Sequence, residues 1–160
     1  MPLTLVPADL ADTAFVAIVA AHTDLCDRTA PPESCHRLTP EGLSQPGLSV
    51  WAVWEEGSML GMGALKELSA EAGEIKSMHV MTAARGRGIG RHILSHLMSK
   101  AGQEGMTSLW LETGVHPLFA PARALYAAFG FKACAPFGHY RPDPHSVFMT
   151  RSIAQKESPA

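Results

Sequence analysis

An apolar run from Ile75 to Met81 is followed by Arg85-Gly86-Arg87-Gly88-Ile89-Gly90 and then by a segment whose apolar residues recur at helical spacing. This order of strand, glycine turn and helix narrows the available folds more than any other part of the chain. Three glycines let backbone come close to a ligand. A turn feeding a helix N-terminus aims several unpaired N–H groups in one direction, and the helix dipole adds partial positive charge there. Arg85, Arg87 and Arg91 bring formal charge to the same place, so the stretch predicts a site for a polyanion.

Two common glycine loops are excluded by spacing. A dinucleotide fingerprint needs G-x-G-x-x-G, but counting from Gly86 the sixth position is Arg91, and counting from Gly88 it is Ile93. A nucleoside-triphosphatase loop needs Gly-Lys-Ser/Thr, whereas Gly90 is followed by Arg91 and His92. What remains is Arg85-x-x-Gly88-x-Gly90 after a strand.

The chain has 160 residues, 46% of them apolar, enough for one well-buried core and too few for two ordinary domains. The expected organisation is a single domain over residues 1–153 with a polar tail over 154–160. A net charge of −2 provides no basic field, so neither nucleic acid nor a membrane is the expected partner. Cys26, Cys35 and Cys134 form no C-x-x-C pair, and an odd number does not suit a disulfide framework, which points to a reducing cytoplasm. Met1-Pro2-Leu3-Thr4-Leu5 does not read as a secretion signal, and no apolar run approaches the roughly 18 residues of a membrane span.

Ala8 to Ala21 has apolar residues spaced at three and four and predicts a first helix packed on a sheet. Residues 23–47 read as a loop with a short helix near Glu33 to Leu38. Leu48 to Trp54 and Met59 to Leu68 predict a β-hairpin turning at Glu55-Glu56-Gly57-Ser58. A third strand follows at Glu74 to Met81, then a helix from Ile89 that stops at Gly105. Thr107 to Thr113 reads as a strand, and Pro121 suits the first turn of a helix ended by Gly130. Phe131 to Ala135 and Ser146 to Ile153 complete the sheet. The predicted class is α/β (α+β): a mixed, mostly antiparallel central sheet flanked by helices.

Arg85-x-x-Gly88-x-Gly90, the run Glu74-Ile75-Lys76-Ser77-Met78-His79-Val80 and Leu125-Tyr126 with Gly130-Phe131 occur in one order that resembles the acetyl-CoA half of the GNAT superfamily of acyl-CoA N-acetyltransferases, over roughly residues 48–150. Gly63 to Leu68, Gly73 to Met78 and Leu111 to Gly114 resemble, more narrowly, a group of small bacterial GNAT proteins. The resemblance implies the GNAT fold, acetyl-CoA as co-substrate without a metal, and a primary amine of a small molecule or protein as acceptor. Family habit adds a possible homodimer. One departure stands out: many members carry Asn-x-x-Ala-x-x-Leu-Tyr, and Phe119 occupies the Asn position, where it would offer an apolar wall to the pantetheine arm.

Acetyl transfer to an amine needs a base, a polarised thioester carbonyl and an acid for the leaving thiolate. As base, the resemblance puts Glu74 first, at the offset from Met78 and Val80 where some members place their basic Glu, with Glu112 held in reserve and Glu67 third. The plain alternative for Glu74 is a solvated carboxylate paired with Lys76 or Lys66. Backbone N–H groups around Met78, His79 and Val80 would polarise the carbonyl where the strand leaves regular pairing. The His79 side chain alternates with its neighbours and is expected to face away from the cofactor. Tyr126 matches the acid of the family's Leu-Tyr pair, although its apolar helical face also suits a core residue. Arg85, Gly86, Arg87, Gly88, Ile89, Gly90 and Arg91 are assigned to the pyrophosphate. His36, Lys76 and Arg141 are candidate acceptor contacts, and with Lys66 they would greet a carboxylate. His92 and His96 are four apart, but Ile93 replaces the glutamate of H-E-x-x-H and no metal is expected. A non-catalytic acyl-CoA-binding or sensing domain is the alternative reading.

Overall fold

A computed structural model describes residues 3–31 and 42–153. Those residues form one seven-stranded sheet: β1 (Thr4–Pro7), β2 (Leu48–Glu55), β3 (Ser58–Glu67), β4 (Ala72–Val80), β5 (Ser108–Gly114), β6 (Lys132–Cys134) and β7 (Ser146–Ser152). Its order is β1-β2-β3-β4-β5-β7-β6, antiparallel throughout except where β4 runs parallel to β5. Three α-helices accompany it: α1 (Thr13–Thr29), α2 (Ile89–Gln103) and α3 (Ala120–Ala128).

The β2–β3 hairpin turns where expected. Glu55 pairs with Ser58, and Glu56 and Gly57 both take positive φ, the backbone signs of a two-residue type I′ turn. Both faces of this hairpin are covered. Val50, Ala52, Met62 and Ala64 point toward Phe15, Ile18 and Val19 of α1, while Val53 and Leu65 belong to the core built on Ile89, Ile93, Leu94 and Leu97 of α2. Two glycines set how closely α2 approaches: a Cβ on Gly61 would lie 3.0 Å from a methyl of Ile89, and one on Gly63 would lie 2.6 Å from a methyl of Ile93 and 2.7 Å from the Met78 sulfur.

Helix ends follow local chemistry. The carboxylate of Asp12 accepts from the Ala14 N–H and starts α1. The expected Ala8–Ala21 helix is therefore shifted: the Ala8 N–H donates to the Val50 carbonyl, and the helix runs on to Thr29. It stops there because Ala30, which precedes Pro31, is extended. The expected helix near Glu33 to Leu38 lies outside the described residues. Gly105 and Gly130 take positive φ, and the N–H groups of Met106 and Phe131 reach back to Ala101 and Tyr126, closing α2 and α3 with the same glycine motif. Strand β1 was not expected; it is four residues long, ends on Pro7 and occupies a sheet edge, where a proline costs no ladder bond.

Candidate active site

The parallel pair β4–β5 is in register from Ala72 opposite Ser108 to Ile75 opposite Leu111. Beyond that point the pairing ends, although β4 runs on to Val80 and β5 to Gly114. The two strands splay into a cleft lined by Lys76, Ser77 and Met78 on one side and Glu112, Thr113 and Gly114 on the other. β4 is irregular at the same level. Ala64 pairs with Lys76 and Met62 with His79, so Gly63 alone faces both Ser77 and Met78. This is a β-bulge, and Ser77 carries its cost in a left-handed backbone with φ of 54°. The departure from regular pairing lies at Ser77 and Met78, at one end of the Met78–Val80 stretch expected to face the thioester, while His79 and Val80 pair regularly with Met62 and Gly61.

Three polar side chains form a closed ring along β4. Alternation puts Glu74 and Lys76 on one face, and the Lys76 ammonium donates to Glu74 Oε2 at 3.1 Å. Tyr140, in the loop before β7, donates its hydroxyl to the same oxygen at 2.6 Å and accepts from Lys76 at 2.8 Å. Glu74 is only 3% exposed, so the solvated alternative does not hold, though the pairing with Lys76 does. Its carboxylate is committed to two donors. Phe137 and Phe148 pack against the Tyr140 ring, which is how a residue 66 positions away in sequence is held over Glu74.

Glu112 has different surroundings. It is half-buried on β5, and its Oε2 accepts from the Ser146 hydroxyl at 2.8 Å. Desolvation pushes its pKa up to about 7; the Ser146 hydrogen bond and the Lys76 charge pull the other way, and Glu74 and Asp143 add to the rise. Tyr126 lines the same cleft from α3. Burial first and the Glu112 charge second hold its phenol far above the ordinary range, so it stays protonated. Phe119 lies at the start of α3 with its ring against Gly114, where an added Cβ would come within 2.7 Å, and it gives the cleft an apolar wall.

At the head of α2, Gly86 and Gly88 both take positive φ, and a Cβ on either would meet nothing within 4 Å. Gly88 caps the helix without a side-chain bond, and the first helical hydrogen bond runs from His92 N–H to Gly88. The N–H groups of Ile89, Gly90 and Arg91 therefore have no acceptor within the helix, which fits a diphosphate. The arginine side chains are partly engaged. Arg87 pairs with Glu55 at 2.6 Å, Arg85 donates to the Val80 carbonyl, and Arg91 sits over the Phe129 ring.

Other candidates fall elsewhere. His79 is buried with its ring against His22 of α1, Nδ1 to Nδ1 at 3.1 Å, on the side away from the α2 core. Burial lowers His79 to about 4 and His22 to about 3. Arg141 is exposed and does not line the cleft, unlike its neighbour Tyr140. Lys66 and Glu67 are exposed at the end of β3, and His36 lies outside the described residues. His96 packs on Trp51. Sequence reasoning missed Tyr140, Ser146 and His22; none belongs to a spaced motif, and only the sheet brings them to the cleft.

Residues 16–131 match the sequence profile of the Acetyltransferase (GNAT) family. The chain is 41% identical over 145 residues to the uncharacterized N-acetyltransferase YsnE of Bacillus subtilis, covering 91% of this chain and 96% of that one. Among solved structures it resembles a candidate acyl-CoA N-acyltransferase from Klebsiella pneumoniae, 30% identical with a TM-score of 0.77 over 95% of this chain and 98% of that one. It shares its fold with the PaiA N-acetyltransferase of Thermoplasma acidophilum, crystallised with coenzyme A, at 12% identity and a TM-score of 0.75 over 96% of this chain and 100% of that one. A GNAT sheet splayed at β4–β5, an uncapped glycine turn at α2 and a family profile over most of the length agree: this chain belongs to the GNAT family and is an acetyl-CoA-dependent acetyltransferase.

Proposed function

We propose that the protein transfers the acetyl group of acetyl-CoA to a primary amine by direct attack on the thioester, with Glu112 as base and Tyr126 as acid. The observation that carries this reading is Glu112: a carboxylate facing the cleft, desolvated until its pKa stands near 7. An alkylammonium has a pKa of about 10.4 and must lose a proton before it can attack, and a base is most effective when its pKa lies near the working pH. Glu74 is the weaker choice, because one oxygen already accepts from both Lys76 and Tyr140. Its part is to hold that pair in place.

Acetyl-CoA supplies the activated acyl group. The chain's own residues bind and orient it: the open N–H groups of Ile89, Gly90 and Arg91 hold the diphosphate, the backbone from the bulge at Ser77 and Met78 on to Val80 faces the thioester, and Phe119 walls the pantetheine arm. Tyr126, protonated and buried, is the proton donor for the departing sulfur.

Thermal unfolding with acetyl-CoA, ATP and NAD tests the binding half. Acetyl-CoA at one hundred times its dissociation constant should stabilise the fold by about 2.7 kcal/mol. Gly88→Asp, which puts a carboxylate where phosphate is bound, should abolish that gain; the strain of a side chain at the positive φ of Gly88 lowers the unliganded melting point separately, so the gain is read against each protein's own unliganded value. Stabilisation by ATP alone would overturn the reading.

A further inference from the structure

We infer that the acceptor is a primary amine with no carboxylate near the reacting nitrogen, a class that includes simple amines and side chains within peptides but not free α-amino acids. The inference rests on the transfer reading above and concerns the charge the acceptor meets. Among the described residues, Lys76 is the one lysine or arginine that lines the cleft. It is 10% exposed, and its charge is closed within the ring with Glu74 and Tyr140. Arg123, on the nearby α3, donates to the backbone carbonyls of Gly114 and His116.

A negative charge is left over. Glu112 faces the cleft with a neutral hydroxyl as its hydrogen-bond partner, and Asp143 adds to the field it feels. His22 cannot offset this, because its Nδ1 faces His79 and burial keeps the ring neutral. His145 stands exposed at the rim, where water screens any charge it carries. An incoming ammonium finds a counter-charge at Glu112 and can pass its proton there. A carboxylate on the same carbon would be carried into a desolvated site beside another carboxylate, with no uncommitted lysine or arginine among the described residues that line it. Of the carboxylate-greeting set expected from sequence, Lys76 is paired with Glu74, Lys66 and Arg141 are exposed outside the cleft, and His36 lies outside the described residues.

Matched pairs that differ only by the α-carboxylate and have a single primary amine test this: phenethylamine against phenylalanine, tyramine against tyrosine and agmatine against arginine, with a lysine peptide amide alongside. Thiol release from acetyl-CoA is measured with the wild-type protein. In each pair the amine should have a kcat/KM higher by roughly tenfold or more, as expected for a like-charge clash. In folded Glu74→Gln the Lys76 charge is no longer neutralised, and the gap should narrow in favour of the amino acid. Amino acids used as well as their amine partners, or a gap unchanged in Glu74→Gln, would overturn the inference and leave acetyl transfer standing. Acetyl-CoA binding without transfer to any member would overturn the transfer reading as well.

Discussion

Glu74 and Glu112 are the same side chain in two settings, and the settings assign them different work. Glu74 gives up its solvent to a lysine and a phenol. Glu112 gives up solvent for one hydroxyl and keeps a proton to about pH 7. If Glu112 is the base, kcat/KM for an amine should rise with pH through an inflection near 7. The Ser146 hydroxyl favours the charged carboxylate, so Ser146→Ala should move that inflection to higher pH. Glu112→Gln should lower kcat by about 10² to 10⁴-fold, the usual range for a positioned base. Full stopped-flow profiles of the three proteins check all of this; identical inflections in wild type and Ser146→Ala would remove Glu112 from the proton transfer. Both glutamates were candidates by sequence, but their ranking depended on Tyr140 and Ser146, which lie 66 and 34 residues away from the carboxylates they contact.

At the level of elements, the bulge in β4 and the glycines of β3 form one device. Gly63 faces the two bulged residues and also receives the Ile93 methyl of α2. Strand, bulge and helix meet where a side chain has no room. Gly63→Ala should destabilise the fold by about 1–3 kcal/mol, the usual range for overpacking a core. Urea denaturation measures that loss. Because the new methyl presses on Met78, calorimetry should also find weaker acetyl-CoA binding in this variant than in a control such as Gly102→Ala, where a Cβ meets nothing within 4 Å.

On the scale of the whole molecule, α1 is held across the sheet partly by the His22–His79 contact. Both imidazoles bind a proton more weakly in the fold, at about 3 and 4, than at their ordinary value of 6.5. Their contribution is complete above about pH 6.5 and is lost as the pH falls toward 4, where the unfolded chain takes up protons that the folded one refuses. Glu112 acts in the opposite direction: its raised pKa costs stability increasingly from about pH 4.5 to 7. The difference between proteins isolates the histidines. His22→Phe should flatten the fall in melting temperature between pH 6.5 and 4, measured by scanning calorimetry; a slope equal to wild type would show that the pair does not govern acid stability.

The order of elements from Leu48 onward and the strand–glycine–helix site could be read along the chain because they depend on neighbours within a few residues. Hairpin turns, helix-ending glycines and apolar periodicity are local chemistry. The start of α1 was misplaced because Asp12 competes as a cap with the apolar pattern that begins at Ala8, and β1 escaped notice because an edge strand needs few buried residues. The splay of β4 from β5, the ring around Glu74, the desolvation of Glu112 and the turning of His79 toward α1 arise from contacts between distant segments. Charge and burial at a site are sums over everything packed around it, and only the folded sheet sets the terms of that sum.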